Sequence, residues 1–206
     1  MLTVARKTGN CKVLGPGKRA VIWFHGCTRS CPGCIAKSMN ESQDYETTTA
    51  NDLYNWVKSC KDIEGVSISG GDPLQQNIFE LKEFCRLIKN DSRNLSIILF
   101  TGYTMEEIKN SELSQILPYL DVLVDGTYYE NLNDDKGLRG SSNQVIHFLS
   151  DKYNSIKESF YSKENRNIEV NLSLNNEITI NGIPKRGSIE QFIDKIKKQG
   201  IEINLY

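Results

Sequence analysis

No apolar run in this 206-residue chain reaches the length of a membrane span. Its opening residues, MLTVARKTGNCKVLG, lack the apolar core of a secretory signal. Neither sign of charge dominates: 25 basic and 26 acidic residues leave a formal net charge of −1. Such a balance advertises no polyanion-binding surface and argues against nucleic acid as a partner. Internal repeats and low-complexity tracts are missing too. Six cysteines are too few for a disulfide scaffold in a chain this long. The expectation is a soluble, cytoplasmic protein with no membrane or nucleic-acid partner. It is long enough to bury one full core and carry a small appendage.

The cysteines that are present are unevenly placed. GCTRSCPGCIAKS, residues 26–38, holds Cys27, Cys31 and Cys34 in a C-x₃-C-x₂-C spacing, with no fourth cysteine nearby. Thiolates are soft ligands that select zinc, copper(I) or iron–sulfur clusters. A structural zinc site wants four closed ligands, typically in paired C-x₂-C units, and the second pair is missing. His25 or Cys11 would have to complete it. An ordinary four-iron cluster also takes four cysteines. Three would leave one iron open to a ligand from outside the protein. Cys85 falls on the apolar face of a helical pattern and Cys60 ends another, so both read as buried core thiols. Cys11 has no cysteine partner and reads as incidental.

Hydrophobic patterning supplies the frame. AVIWFHG (20–26), GVSISGG (65–71), SIILFTGY (96–103) and DVLVDG (121–126) are short apolar runs that read as buried strands. Between them, 48–59, 77–89 and 105–117 follow helical periodicity, the last stopped by Pro118. Alternating strands and helices imply βα units and a parallel sheet. Each strand runs into a polar or glycine-rich motif: GCTRSCPGC, SGGDP, TGY and VDGTY. Ligands sit at the carboxyl ends of strands in such sheets, so the four motifs are expected on one rim. After about residue 150 the chain changes character. Residues 151–167 read as a mobile helix or linker. NIEVNLSLNNEITING reads as a hairpin turning near Asn175 and Asn176. A lysine-rich helix (188–199) and a short strand, IEINLY, follow.

The cysteine triad after a first strand resembles the signature of the radical S-adenosylmethionine (SAM) superfamily. SGGDP, with Gly70, Gly71, Asp72 and Pro73, resembles that superfamily's glycine–glycine–acid–proline motif. The series CPGC, SGGDP, LFTGY, DVLVDG and LRGSSNQ, in that order, resembles the small activating enzymes of anaerobic (class III) ribonucleotide reductase. The resemblance covers roughly residues 10–150.

The resemblance implies a partial (βα)6-type barrel over residues 1–150, with a small hairpin–helix extension over 151–206. It implies one 4Fe–4S cluster on Cys27, Cys31 and Cys34, with SAM chelating the fourth iron. A low-potential donor such as flavodoxin or ferredoxin would reduce the cluster. The 5′-deoxyadenosyl radical from SAM would then take a hydrogen atom from a glycine of the partner, the large reductase subunit. Gly33 and Ile35 are expected to line the SAM side, and Gly70, Gly71 and Asp72 to meet its amino group. Thr101 and Tyr103 are assigned to the ribose or carboxylate. Asp125 is either a rim residue or a solvated turn residue. Arg139, Ser141 and Asn143 either bind SAM, grip the partner's glycine loop, or form a loop braced by an arginine. Two alternatives stay open: a radical SAM enzyme acting on a peptide or small molecule, and a non-enzymatic zinc-binding interaction module.

Overall fold

The computed structural model describes residues 1–41, 45–162, 166–172 and 178–199. A seven-stranded sheet organises the chain, with strands β1 (Leu2–Cys11), β2 (Arg19–Phe24), β3 (Glu46–Thr48), β4 (Gly65–Gly70), β5 (Ser96–Phe100), β6 (Val122–Asp125) and β7 (Val145–Phe148). Their order is β3-β1-β2-β4-β5-β6-β7. The four central strands are parallel, with Phe24 opposite Gly70, Ile68 opposite Leu99 and Leu99 opposite Leu123. The flanking strands β1, β3 and β7 pair antiparallel. A separate antiparallel hairpin joins β8 (Ile168–Leu172) and β9 (Ile178–Gly182).

Side chains on a strand alternate between faces, and here each face meets a different cover. Ala20, Ile22 and Phe24, with Val66, Ile68, Ile97, Leu99 and Leu123, face helices α2 (Ala50–Ser59) and α3 (Ile78–Lys89). Cys85 is fully buried among them, and Cys60 caps α2 at the core edge. On the other face, Ile98, Val122 and Val124 pack with Leu138, Ile146, Tyr153 and Phe160, while Val21 and Trp23 pack with Cys11 and Leu14. Much of this second cover comes from the segment after residue 150.

Of the helix or linker expected at the start of that segment, the structure gives a helix. Residues Asp151–Tyr161 form a 3-10 helix kinked at Ile156, anchored by buried Tyr153 and Phe160. Tyr153 reaches the fully buried Arg19, whose guanidinium also donates to Ser67, Ser96 and the Val66 carbonyl. Helix α5 (Ser188–Lys198) matches the lysine-rich pattern. The hairpin turn at Asn175–Asn176 and the strand IEINLY lie outside the described residues.

Two expectations change. The single helix over 105–117 is instead α4 (Met105–Lys109) followed by a 3-10 helix, Glu112–Tyr119, that contains Pro118. Asn110 caps α4, and Thr104 with Glu107 forms a reciprocal capping box at its start. The sheet also gains three strands, β1, β3 and β7, that convert a parallel expectation into a mixed sheet with antiparallel flanks. One short helix, α1 (Ser38–Glu41), follows the cysteine loop. No helix among the described residues is long and apolar enough to cross a membrane.

Candidate functional site

The four motifs leave the carboxyl ends of β2, β4, β5 and β6 on one edge of the sheet. Two of them are fastened together by main chain. The Gly71 amide donates to the Phe24 carbonyl at 2.7 Å, and the Asp72 amide to the Gly26 carbonyl at 2.8 Å. Only glycine permits this approach. A Cβ at Gly71 would lie 2.1 Å from the Gly26 oxygen, and one at Gly70 would lie 2.2 Å from the Phe24 nitrogen. The glycine pair therefore joins the cysteine loop to the neighbouring strand, as well as facing the cleft.

The cysteine loop has its own local logic. Gly26 turns the chain out of β2 at φ +90°. Cys31-Pro32-Gly33-Cys34 closes through a Cys34 amide to Cys31 carbonyl bond of 3.2 Å, with Gly33 at φ +73°. Proline followed by a positive-φ glycine is the chemistry of a type II turn, and it holds the second and third thiols one tight turn apart. The Arg29 amide donates to Cys27 Sγ at 3.4 Å. All three cysteines are free thiols. Burial pushes the Cys27 and Cys34 thiols up, and nearby negative charge from Asp72 and Cys31 acts in the same direction on Cys27. A metal would have to displace those protons on binding.

Cys27, Cys31 and Cys34 all line one cleft of about 550 Å³, together with Gly33, Ile35, Gly70, Gly71, Asp72 and Thr101. Among the described residues, no three His, Cys, Asp or Glu side chains converge on a single ion position. Three thiols spread along one loop suit a cluster, in which each thiolate takes a different iron. The residues suggested as a fourth zinc ligand stand elsewhere. Cys11 is sealed between Leu14, Val21 and Trp23, and the His25 ring stacks on Tyr45 at 4.6 Å.

Asp72 differs in detail from its expected place. Its carboxylate is only 1% exposed and accepts from the Leu74 amide, the Thr101 hydroxyl (2.8 Å) and the Gly102 amide (2.9 Å). Burial pushes its carboxyl up while those three donors pull it down. Asp72 thus starts the short 3-10 helix Pro73–Gln75 and binds the second rim loop to the third. Thr101 is its partner and lines the cleft.

The remaining expected residues brace the rim and do not line the cleft. Tyr103 lies under the Arg29 guanidinium, 4.3 Å from ring centroid to Cζ, and Arg29 pairs with Glu107 at 2.8 Å. Asp125 accepts from the amides of Met105 and Val145, with His147 Nε2 2.9 Å away. Arg139 donates to the carbonyls of Ser142 and Gln144 and to Asp134. Ser141 donates to Asn143, whose amide reaches the Thr127 carbonyl. Together they make a braced loop.

Sequence reasoning missed the opposite wall. It comes from Tyr128, Glu130 and Asn133 and, from beyond residue 150, from Arg166 and the stretch Ile183–Gly187. Arg166 is 3% exposed, and its acceptors among the described residues are all neutral oxygens. It donates to Asn133 Oδ1, to the carbonyls of Pro184, Lys136 and Gly140, and to that of Arg139. A basic residue in a polar segment carries no sequence signal of such burial.

Comparison with known proteins accords with this geometry. The family described as a 4Fe-4S single cluster domain matches residues 13–147, from just before β2 through β7. The anaerobic ribonucleoside-triphosphate reductase-activating protein of Escherichia coli (strain K12) is 34% identical over 143 residues, spanning 66% of this chain and 92% of its own length. Its namesakes from Vibrio cholerae and Enterobacteria phage T4 are 36% and 37% identical, over 90% and 86% of their lengths. With its cluster-domain match and relatives covered almost end to end, this chain belongs to the family of anaerobic ribonucleoside-triphosphate reductase-activating proteins.

Proposed function

We propose that this chain is a radical SAM activating enzyme that installs a glycyl radical on an anaerobic ribonucleotide reductase. One observation carries the reading. Three free thiols on a single loop face a cleft at the carboxyl ends of parallel strands, fastened by main chain to a glycine–glycine–aspartate turn. Bound there, a three-cysteine 4Fe–4S cluster and SAM would supply reductive cleavage of the C5′–S bond and a 5′-deoxyadenosyl radical.

The chain's own part is placement and shelter. Cys27, Cys31 and Cys34 would hold the cluster as thiolates, giving up their protons on binding it. The Cys31–Cys34 turn sets two of those ligands, and Gly33 and Ile35 border the SAM side. Gly70, Gly71 and Thr101 offer backbone and hydroxyl surface to the cofactor. Asp72 keeps the rim loops in register. Tyr103, Asp125, Arg139, Ser141 and Asn143 support that rim from behind. The central parallel strands with helices on one face correspond to part of a (βα)6-type barrel. The partner's glycine would enter at the cleft mouth, where Ile35 is 58% exposed. A low-potential donor such as flavodoxin or ferredoxin would deliver the electron, in a reducing cytoplasm that keeps the thiols free.

Anaerobic reconstitution with iron and sulfide tests the reading. The protein should take up one cluster per chain. With reductant, SAM and the partner reductase, it should release 5′-deoxyadenosine and give the electron paramagnetic resonance signal of a glycyl radical. Cleavage with no radical on the reductase would leave the superfamily standing and remove the activator role. Cys31→Ala should lose both the cluster absorption and SAM cleavage; normal cleavage by that variant would refute the ligand set.

A further inference from the structure

The cysteine loop carries one basic residue inside the ligand spacing. Arg29 stands two residues after Cys27 and two before Cys31. It lines the same cleft as the three thiols. Three neighbours hold its guanidinium. It donates to Glu107 Oε1 at 2.8 Å and to the Thr127 hydroxyl at 3.2 Å, and it stacks over the Tyr103 ring at 4.3 Å. The residue's own amide donates to Cys27 Sγ at 3.4 Å.

The ion pair has a direction. Arg29 is the more buried member and belongs to the cleft wall. Glu107 is 46% exposed and serves the start of α4 as its capping-box acid. The cleft's other basic residues, Arg166, Lys185 and Arg186, stand on the opposite wall. On the cysteine side the buried negative charge is Asp72. The Arg29 charge acts on the Asp72 carboxyl, and the Asp72 charge acts on the Cys27 thiol.

Three thiolates would leave a bound cluster negative, and reduction adds one more electron. Local net charge and hydrogen bonds to the sulfurs set the potential of an iron–sulfur centre. Arg29 supplies both, as a fixed cation on the ligand loop and as an amide donor to a ligand sulfur. We propose that Arg29 raises the reduction potential of the cluster held by Cys27, Cys31 and Cys34, with Tyr103, Thr127 and Glu107 as the positioning residues that keep its charge on the cleft wall. The assignment rests on the three-cysteine reading above. Its consequence is that an electron from the low-potential donor enters a centre whose reduced state a nearby cation stabilises.

The test is a redox titration of the anaerobically reconstituted protein without SAM. The reduced cluster is followed by electron paramagnetic resonance, with iron content matched between variants. Arg29→Gln should lower the midpoint potential by on the order of 59 mV, tenfold in a one-electron equilibrium. Arg29→Lys keeps the charge and should recover most of that shift. Glu107→Gln breaks the same ion pair from its other side, keeps an oxygen for the α4 cap, and leaves the cation uncompensated. It should therefore raise the potential. A residue that only braced the loop would make Arg29→Gln and Glu107→Gln shift in the same direction, and that result would overturn the assignment. So would an unchanged potential in Arg29→Gln, or a lysine variant as low as the glutamine one. If Arg29→Gln does not hold its cluster, Glu107→Gln decides: a rise supports the assignment, and a fall or no change refutes it. Wild-type protein that takes up no cluster would sink the three-cysteine reading itself, and this assignment with it.

Discussion

Replacing Gly71 by alanine separates a framework glycine from an incidental one. A Cβ there would lie 2.1 Å from the Gly26 oxygen and 2.5 Å from its carbonyl carbon. To reach ordinary contact near 3.4 Å, that oxygen must retreat about 1.3 Å. Gly26 is main chain adjoining Cys27, so no flexible side chain can absorb the movement. The retreat stretches the two bonds that tie the loops, Gly71 to Phe24 and Asp72 to Gly26. Overpacking of this kind costs roughly 1–3 kcal/mol. A displacement near 1 Å in a preorganised site can cost on the order of a hundredfold in rate. Gly102→Ala is the matched control. Its Cβ would meet the Arg29 side chain at 2.6 Å, which has rotamers to yield. Iron bound per chain after anaerobic reconstitution, read beside the melting temperature, distinguishes the two. Gly71→Ala should melt lower and hold markedly less cluster, while Gly102→Ala stays near wild type. Full cluster uptake and an unchanged melt in Gly71→Ala would refute the claim that backbone approach sets the cysteine loop.

Acid stability should report on Asp91. Its carboxyl is lowered from 3.8 to about 2, first by the Arg93 hydrogen bonds and then by the Arg93 amide and the Tyr54 hydroxyl, against a smaller opposing effect of burial. A depressed carboxyl stabilises the fold above its unfolded value and loses that contribution as pH falls from near 4 towards 2. Arg93 is exposed to solvent, whose screening holds the gain to roughly 1–2 kcal/mol; Asp91→Asn should flatten that stretch of the stability–pH curve, and an unchanged curve would refute the pairing. Tyr153→Phe removes one acceptor from the buried Arg19 and the hydroxyl partner of Ser96. The loss should be about 1–2 kcal/mol, a drop of roughly 2–8 °C in melting temperature, with cluster uptake unaffected; an unchanged melt would show that Arg19 is satisfied without it.

The parts of the fold that were legible share one property: their signal is local. AVIWF, VSIS, SIILF and VLV are apolar without interruption because both faces of a central parallel strand are covered. Helix α3 repeats its buried residues at helical spacing. By contrast, β1 carries Ala5, Arg6, Lys7 and Thr8 half-exposed, and is a strand because β2 and β3 pair with it. At the site, the spacing of three cysteines and the proline–glycine turn is written within eight residues. The fate of Asp72 is not, since two of its donors lie 29 and 30 residues ahead. Arg166 and Arg186 were illegible for the same reason: their acceptors are carbonyls and an amide oxygen 18 to 56 residues away, and a basic side chain gives no hint of which main chain it will meet.

The segment beyond the family match explains how this sheet closes its second face. All three central crossovers place their helices over Ile22, Ile68 and Leu99, leaving Ile98, Val122 and Val124 on the opposite side. Apolar surface of that size must be covered. Leu138 and Ile146 cover part of it from within the matched region, and Tyr153 and Phe160 complete it. The same segment then passes over Val21 and Trp23 through Ile183 and reaches the cleft at Lys185 and Arg186. Two buried arginines mark its attachment points: Arg19 donates to Tyr153, and Arg166 donates to Asn133 and to the carbonyls of Lys136 and Gly140. Among the described residues each donates to neutral oxygens, so each loses hydrogen bonds if the segment lifts away. Covering the sheet and building the site wall are therefore one structural event in this chain, since the residues that seal the apolar face also fix the backbone that carries Arg186 to Glu130.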